Sequence, residues 1–152
     1  MIERKWIPSF AELIDRLSIQ QLKEVFILEH KDKYAKDMED IVHDLNLLVQ
    51  EDKIKMSGEL IRAIIVLAQL NTHIWYNESK ARKGEEQDLL LLKLTHGLNG
   101  IRNTACNYIL DIIGKAEKQD WKTDCLAEEF NSWKISLFNE GKEKKNENSN
   151  IR

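Results

Sequence analysis

The position of the only proline constrains this chain more than any other feature. The chain has 152 residues, and its one proline is Pro8. Because proline is the residue that most disrupts a helix interior, nothing after position 8 forces a helix to end. The six glycines are too few for a turn-rich all-β chain. The sequence therefore predicts an all-α fold, an up-down helical bundle of three long helices plus short N- and C-terminal helices.

Two capping signals in the sequence predict where the first two helices begin. Ser9 with Glu12, and Ser18 with Gln21, have the spacing of capping boxes. In a capping box the serine hydroxyl and the acidic or amide side chain satisfy each other's free backbone N–H groups. They predict a short helix and a long one, over about residues 10–17 and 19–50.

The next helices are bounded by a serine and a glycine. Ser57 predicts the start of a third helix that reaches Lys83. Gly84 predicts its end, and the acidic residues that follow favour the start of a fourth helix, which runs to about Ala116.

The C-terminal part of the chain divides into two. Leu126, Phe130, Trp133 and Leu137 have the spacing of a fifth, shorter helix. Residues 141–152 contain one aliphatic side chain, too few to offset the entropy of ordering. We therefore expect one helical-bundle domain over 1–140 and a disordered polar tail over 141–152.

Composition limits the partners and the compartment. The 23 Lys and Arg residues are outnumbered by 26 Asp and Glu residues, which makes nucleic acid an unlikely ligand. The longest apolar run is much shorter than the roughly 20 residues of a membrane span, and the N-terminus lacks a signal-peptide core. Cys106 and Cys125 form no CxxC pair, which favours a reducing cytoplasm and no zinc site.

Polar residues interrupt the aliphatic stripes of the predicted core helices. On the third helix an aliphatic face continues into polar and aromatic residues, and a face of the fourth helix does the same. The second helix carries a similar row. The residues that we predict to form one ligand site are Lys23, His30, Asn71, Trp75, Glu78, Arg82, Asn99, Arg102 and Asn103.

The residue types in this set suggest binding of an anionic small molecule. Arginine and lysine would hold the anion, the asparagines would fix hydroxyls, and Trp75 would supply a flat apolar wall. Glu78 is the candidate general base, or a carboxylate that orients the ligand. Two alternatives remain open at this stage. The charged groups either pair with one another in an internal network or lie on a solvated edge, because an unpaired buried charge is costly.

Three sequence blocks resemble a known kind of protein. They are ELIDRLSI followed by Leu22-Lys23, then Leu70-Asn71 with Trp75, Glu78 and Arg82, and then LNGIRN with Asn107. The order of these blocks, over about residues 9–110, resembles helical families of unknown function that are often encoded among bacterial surface-polysaccharide genes. The resemblance implies a cytoplasmic bacterial protein that handles a sugar phosphate, a nucleotide or a nucleotide-sugar. Cys106 stands where that pattern often has a basic residue.

A shorter stretch, Arg102-Asn103 through Asn107-Tyr108, is similar to the RNxxxHxY signature of HEPN helical-bundle ribonucleases. Asn107 replaces the histidine of that signature. An amide cannot move protons as an imidazole does, so the resemblance implies a relative without nuclease activity.

Other patterns carry less chemistry. Asp37, Asp40 and Asp44 have a helical spacing that could present carboxylates to a cation, although a solvated face explains them more simply. We predict no metal site, and the sequence indicates no particular cofactor. A non-enzymatic module that self-associates into a homo-oligomer, or docks a partner, is the main alternative to a ligand-binding protein.

Overall fold

The computed structural model describes residues 6–81, 88–119, 121 and 135–136. Within these ranges every regular element is a helix, which confirms the all-α prediction. The α-helices are α1 (Phe10–Phe26), α2 (Lys31–Glu51), α3 (Gly58–Ala81) and α4 (Asp88–Ile112). A short 3-10 helix, Ala116–Lys118, follows α4.

The start of α1 is the capping box that the sequence predicts. The Glu12 backbone N–H donates to Ser9 Oγ over 3.2 Å, and the Ser9 backbone N–H donates to Glu12 Oε2 over 2.6 Å. Ser57 caps α3 in a similar way, because its Oγ accepts from the Leu60 backbone N–H over 3.1 Å. Both serine caps are therefore confirmed.

The predicted break at Ser18 is wrong. Helix α1 continues through Ser18 to Phe26, and the Ser18 hydroxyl donates to the Asp15 carbonyl oxygen over 2.8 Å. No glycine or proline stops the helix there, and that backward bond lets a serine sit inside a helix. The chain turns instead at residues 27–30, where His30 has a left-handed φ of 63°. Within the described residues there are consequently four α-helices of 17 to 25 residues rather than three long ones with a short first helix.

Helix α4 ends at Ile112, earlier than the predicted Ala116. Gly114 has φ of 76°, a value that residues with a Cβ atom rarely adopt. The Lys115 N–H donates to the Leu110 carbonyl and the Gly114 N–H to the Asp111 carbonyl, which is the Schellman pattern. The predicted ends near Lys83 and Gly84 and the tail over 141–152 lie outside the described residues. Of the predicted fifth helix over 126–137, only residues 135–136 are described, and they are not helical.

The four described helices differ in how closely they pack: α3 and α4 form a tight pair, α1 lies on this pair, and α2 is the outer helix. Helices α3 and α4 share the most extensive contact, and α1 packs on both of them and on α2. Helix α2 has at most marginal contact with α3. Among the described residues, the largest fully buried side chains come from α3 and α4: Leu60, Leu67, Leu98, Cys106, Ile109 and Leu110. None of the described helices combines the length and apolar character of a membrane span.

Candidate functional site

Helix α1 presents one polar face toward α3 and α4. Asp15 lies in the middle of this face, and both of its carboxylate oxygens have partners from other helices. Oδ1 accepts from Asn71 Nδ2 of α3 over 2.8 Å, and Oδ2 lies 3.4 Å from Arg102 Nη1 of α4. A single carboxylate thus ties α1 to both helices of the tight pair.

Asn71 is fully engaged in this network. It is 4% exposed, and its amide nitrogen also donates to Ser18 Oγ over 2.6 Å. Since a primary amide has two N–H groups, both are satisfied by α1. On α4, Arg102 Nη2 donates to Asn103 Oδ1 over 3.1 Å, which connects two predicted site residues directly.

The ion pair of the network lies at the border between core and solvent. The side chains of Asp15 and Arg102 are 16% and 23% exposed. Behind them, Cys106 is completely buried. Burial, and to a smaller extent the negative charge of Asp15, raise the pKa of its thiol to about 12, although the positive charge of Arg102 offsets part of the rise. The thiol is therefore protonated at neutral pH and is no nucleophile there.

Two polar atoms beside this network have no hydrogen-bond partner. They are Arg102 Nε, a donor, and Gln20 Oε1, an acceptor, and both are shielded from solvent. An unsatisfied buried polar atom costs about 1–3 kcal/mol. The guanidinium is thus held by Asp15 and Asn103 in an arrangement that leaves part of its hydrogen-bonding capacity unused.

A groove opens between α1 and the N-terminal and post-α4 segments, above the network. Its volume is about 670 Å³. We call it the polar groove, and its lining residues are Trp6, Pro8, Glu12, Asp15, Arg16, Ile19, Gln20, Lys23, Arg102 and Trp121.

The charges of the polar groove are not equivalent. The Glu12 carboxylate accepts from the Ser9 backbone, and Asp15 accepts from Asn71 and faces Arg102. In the described part of the chain Arg16 has no ion pair, and Lys23 Nζ has only the Tyr34 ring, 6.0 Å away. The anionic groups are thus occupied, while two cationic groups remain available to a ligand.

Trp121 is held at the groove by contacts with α4. Asn107 Nδ2 donates to the Trp121 carbonyl oxygen over 3.1 Å, and Gln119 Nε2 donates to the Asn107 carbonyl oxygen over 2.7 Å. Asn107 occupies the position at which the HEPN signature has histidine. In this structure it positions the segment that follows α4.

The structure brings some predicted site residues together and leaves others apart. Asn71, Arg102 and Asn103 form the network, and Lys23 lines the polar groove. The described residues of the predicted set that belong neither to the network nor to the groove lining are His30, Trp75, Glu78 and Asn99. Glu78 is exposed near the end of α3, so the candidate base is not adjacent to the network. Arg82 lies outside the described residues.

Sequence reasoning missed the contribution of α1. Asp15 anchors the network. The interpretation of Ser18 as a helix cap places Asp15 and Ser18 on different helices of the predicted fold, whereas in the structure both belong to α1. One sequence signal indicates that Asp15 belongs to the site. Glu12, Asp15, Ile19 and Lys23 follow the three- and four-residue spacing of a single helix face, provided that α1 is uninterrupted.

The acidic row of α2 is a set of local pairs. Asp37 meets Lys33 at 2.7 Å, Asp40 meets Lys36 at 3.0 Å, and His43 meets Asp44 at 3.2 Å. Among the described residues no group of three or more His, Cys, Asp and Glu side chains is placed to hold a metal ion.

Comparisons with protein-family models, with curated proteins and with solved structures found no match to this chain.

Proposed function

We propose that this protein binds an anionic small molecule in the polar groove. The ligand class that fits best is a phosphorylated compound with a ring, such as a sugar phosphate, a nucleotide or a nucleotide-sugar. The resemblance to helical families of surface-polysaccharide genes favours the same class. Binding is better supported than catalysis, because the groove carboxylates of Glu12 and Asp15 already accept hydrogen bonds.

Arg102 is the observation that carries the proposal. Its guanidinium lines the groove, and among the described residues its one carboxylate partner is 3.4 Å away and its Nε–H has no partner. A phosphate oxygen entering the groove would give the guanidinium a second anionic partner, and arginine matches the geometry of phosphate oxygens. Arg16 and Lys23 add positive charge to the same lining.

The remaining lining supports a ligand larger than inorganic phosphate. Trp6 and Trp121 provide two indole surfaces, and Trp6 is 74% exposed. Gln20 Oε1 is an acceptor without a donor, which a ligand hydroxyl or amino group would satisfy. A ligand with a phosphate, a polar ring and a hydroxyl group would therefore use every feature of the groove.

The test is a thermal-shift titration of the full chain with inorganic phosphate, ribose 5-phosphate, UMP and UDP-glucose. We expect at least one phosphorylated compound to raise the melting temperature, because a ligand that binds only the native state stabilises it by mass action. The variants Arg16→Ala and Lys23→Ala, which leave the Asp15 network intact, should each weaken binding several-fold. Arg102→Ala should abolish it.

Lys93→Ala is the matched control, because Lys93 is an exposed cation of α4 that does not line the groove. It should leave the shift unchanged. The proposal is overturned if no compound shifts the melting temperature, or if Arg16→Ala, Lys23→Ala and Lys93→Ala all have the same effect. In that case the Asp15–Asn71–Arg102 cluster is an internal structural network.

A further inference from the structure

A second concave surface lies where α2 diverges from α3. It is lined by α1, α2 and α3 and has a volume of about 640 Å³. We call it the apolar cleft. Its apolar lining residues are Ile14, Leu17, Ala35, Met38, Val42, Ile64 and Ala68, and its polar ones are Ser18, Gln21, Glu24 and Glu39.

The apolar surface continues beyond the cleft along α3. Ile61 and Ile65 are 47% and 51% exposed, and they lie seven and three residues before Ala68, on the same helix face. On the opposite wall Val42 is 44% exposed. Contiguous exposed apolar surface of this kind, with polar groups at its rim, is typical of protein interaction sites.

The dimensions of the apolar cleft fit one further helix. From Ile61 to Ala68 on α3, and from Ala35 to Val42 on α2, each wall extends about 10 Å at 1.5 Å per residue. That length is about two helical turns. An amphipathic helix would fill it with apolar side chains at positions i, i+3 or i+4, and i+7, the usual spacing of a helix bound in a groove.

The charge of the lining distinguishes between possible occupants. The charged lining residues are Glu24 of α1 and Glu39 of α2, both acidic. Glu24 accepts a hydrogen bond from the Gln21 side-chain amide over 2.7 Å. Glu39 Oε2 lies 3.5 Å from Lys36 Nζ, and the side chains of Lys36 and Glu39 are both exposed. Glu24 has no cation beside it among the described residues, and the one contact of Glu39 with Lys36 is long and solvent-exposed, so lysine or arginine of a partner can approach both carboxylates.

The same charges argue against a second copy of this chain. A two-fold interface places a surface patch against the identical patch of the partner. If two copies met through the apolar cleft, Glu24 and Glu39 of one would face the same carboxylates of the other, and like charges across an interface are unfavourable. A basic partner instead places opposite charges next to Glu24 and Glu39, which is electrostatically favourable.

We propose that the apolar cleft docks an amphipathic helix of another protein, one that carries an aliphatic stripe flanked by lysine or arginine. The aliphatic stripe contacts Met38, Val42 and Ile64, and the basic residues pair with Glu24 and Glu39. This site is separate from the polar groove and does not depend on ligand binding there.

Fluorescence anisotropy tests the proposal with a labelled synthetic peptide of Leu, Ala and Lys. The peptide has about 14 residues, four helical turns, with leucines on one face and lysines beside them. Two control peptides have glutamate in place of lysine, or the same composition in an order that breaks the apolar face. We expect the full chain to bind the first peptide at least tenfold more tightly than either control.

Variants of the full chain locate the binding. Val42→Asp should weaken binding of the lysine peptide at least tenfold, and Glu39→Lys should weaken it several-fold while improving binding of the glutamate peptide. Val49→Asp is the matched control, since Val49 is on the same helix, is 38% exposed and does not line the cleft. It should have no effect. If Val42→Asp does not fold, as judged by circular dichroism, Ile65→Asp replaces it.

Two results overturn the proposal. The first is a lack of specificity: either all three peptides bind equally, or Val49→Asp weakens binding of the lysine peptide as much as Val42→Asp does. The second is a dimer of the unmodified protein, measured by light scattering, that dissociates in the Val42→Asp variant, because a second copy then occupies the cleft.

Discussion

The polar groove and the apolar cleft share helix α1 as a wall, yet they are built in opposite ways. Asp15, Arg16 and Lys23 face the groove, whereas Ile14 and Leu17 face the cleft. In the groove, directional hydrogen bonds join α1 to α3 and α4. In the cleft, the facing walls of α2 and α3 are aliphatic, and their side chains remain partly exposed.

This difference separates fixed geometry from adaptable surface. A network such as Asp15–Asn71–Arg102 has one arrangement that satisfies its donors, so it fixes how α1 lies on α3 and α4. Aliphatic contacts have no such direction, and a cleft made from them can accommodate different side chains of a partner. We therefore expect the groove to be selective and the cleft to be tolerant.

Thiol labelling should show the largest difference between the two regions. Cys106, behind the polar groove, is buried, and its pKa is raised to about 12 from the ordinary 9.0. At pH 8 in a Cys125→Ser background, we expect a disulfide reagent to react at least about 10³-fold more slowly than in the urea-unfolded chain. The raised pKa also predicts that stability falls as pH rises above 9.0, because the unfolded thiol then loses its proton first.

A cysteine placed in the cleft provides the contrast. In a chain carrying Cys106→Ala and Cys125→Ser, the substitution Ala35→Cys should react within about tenfold of the unfolded rate, because a thiolate at an open site needs no unfolding to react. Fast labelling of native Cys106 would show that the packing of α1 over α4 opens readily. The groove would then be no more fixed than the cleft.

Removing Asn71 should destabilise the fold more than removing a side chain of the cleft. Asn71→Ala deletes the donations to Asp15 and Ser18, and at about 1 kcal/mol per hydrogen bond we expect a loss of about 2 kcal/mol. Val42→Ala, at a site 44% exposed, should lower the free energy of unfolding by less than about 1 kcal/mol. Urea denaturation followed by circular dichroism measures both, and equal losses would contradict the comparison.

The smallest effect concerns the ion pair itself. A double-mutant cycle with Asp15→Ala and Arg102→Ala should give a coupling free energy of about 0.5–1 kcal/mol, because both side chains are mostly shielded from water. The same cycle on Lys33 and Asp37 should give a smaller coupling, although that pair is shorter, at 2.7 Å, because Lys33 is 68% exposed. A larger coupling free energy for Lys33 and Asp37 than for Asp15 and Arg102 would show that the distance between the charges affects the coupling more than their burial does.

Much of the helical architecture follows from local sequence. The serines at 9 and 57 begin α1 and α3 as the capping patterns predict. The missed break after residue 26 has a local reason as well. No glycine or proline marks it, and His30 accepts a left-handed conformation that its residue type does not announce.

The candidate site was predictable only in part. The interrupted stripes of α3 and α4 draw attention to Asn71, Arg102 and Asn103, because polar residues on a core-facing stripe need partners, and the structure gives each of the three a hydrogen-bond partner. Their main partner, Asp15, was not identified. Nothing in the sequence around Asp15 states which other helix its carboxylate will meet.

The sequence alone determined that the described chain is helical, because the lack of proline after Pro8, the caps and the apolar periodicity act over a few neighbouring residues. Tertiary packing alone decided that Asp15 meets Asn71, 56 residues away, and Arg102, 87 residues away. It also decided that α2 diverges from α3. Such long-range pairings depend on how whole helices rotate and cross, and that is set by the sum of many side-chain contacts rather than by any local pattern.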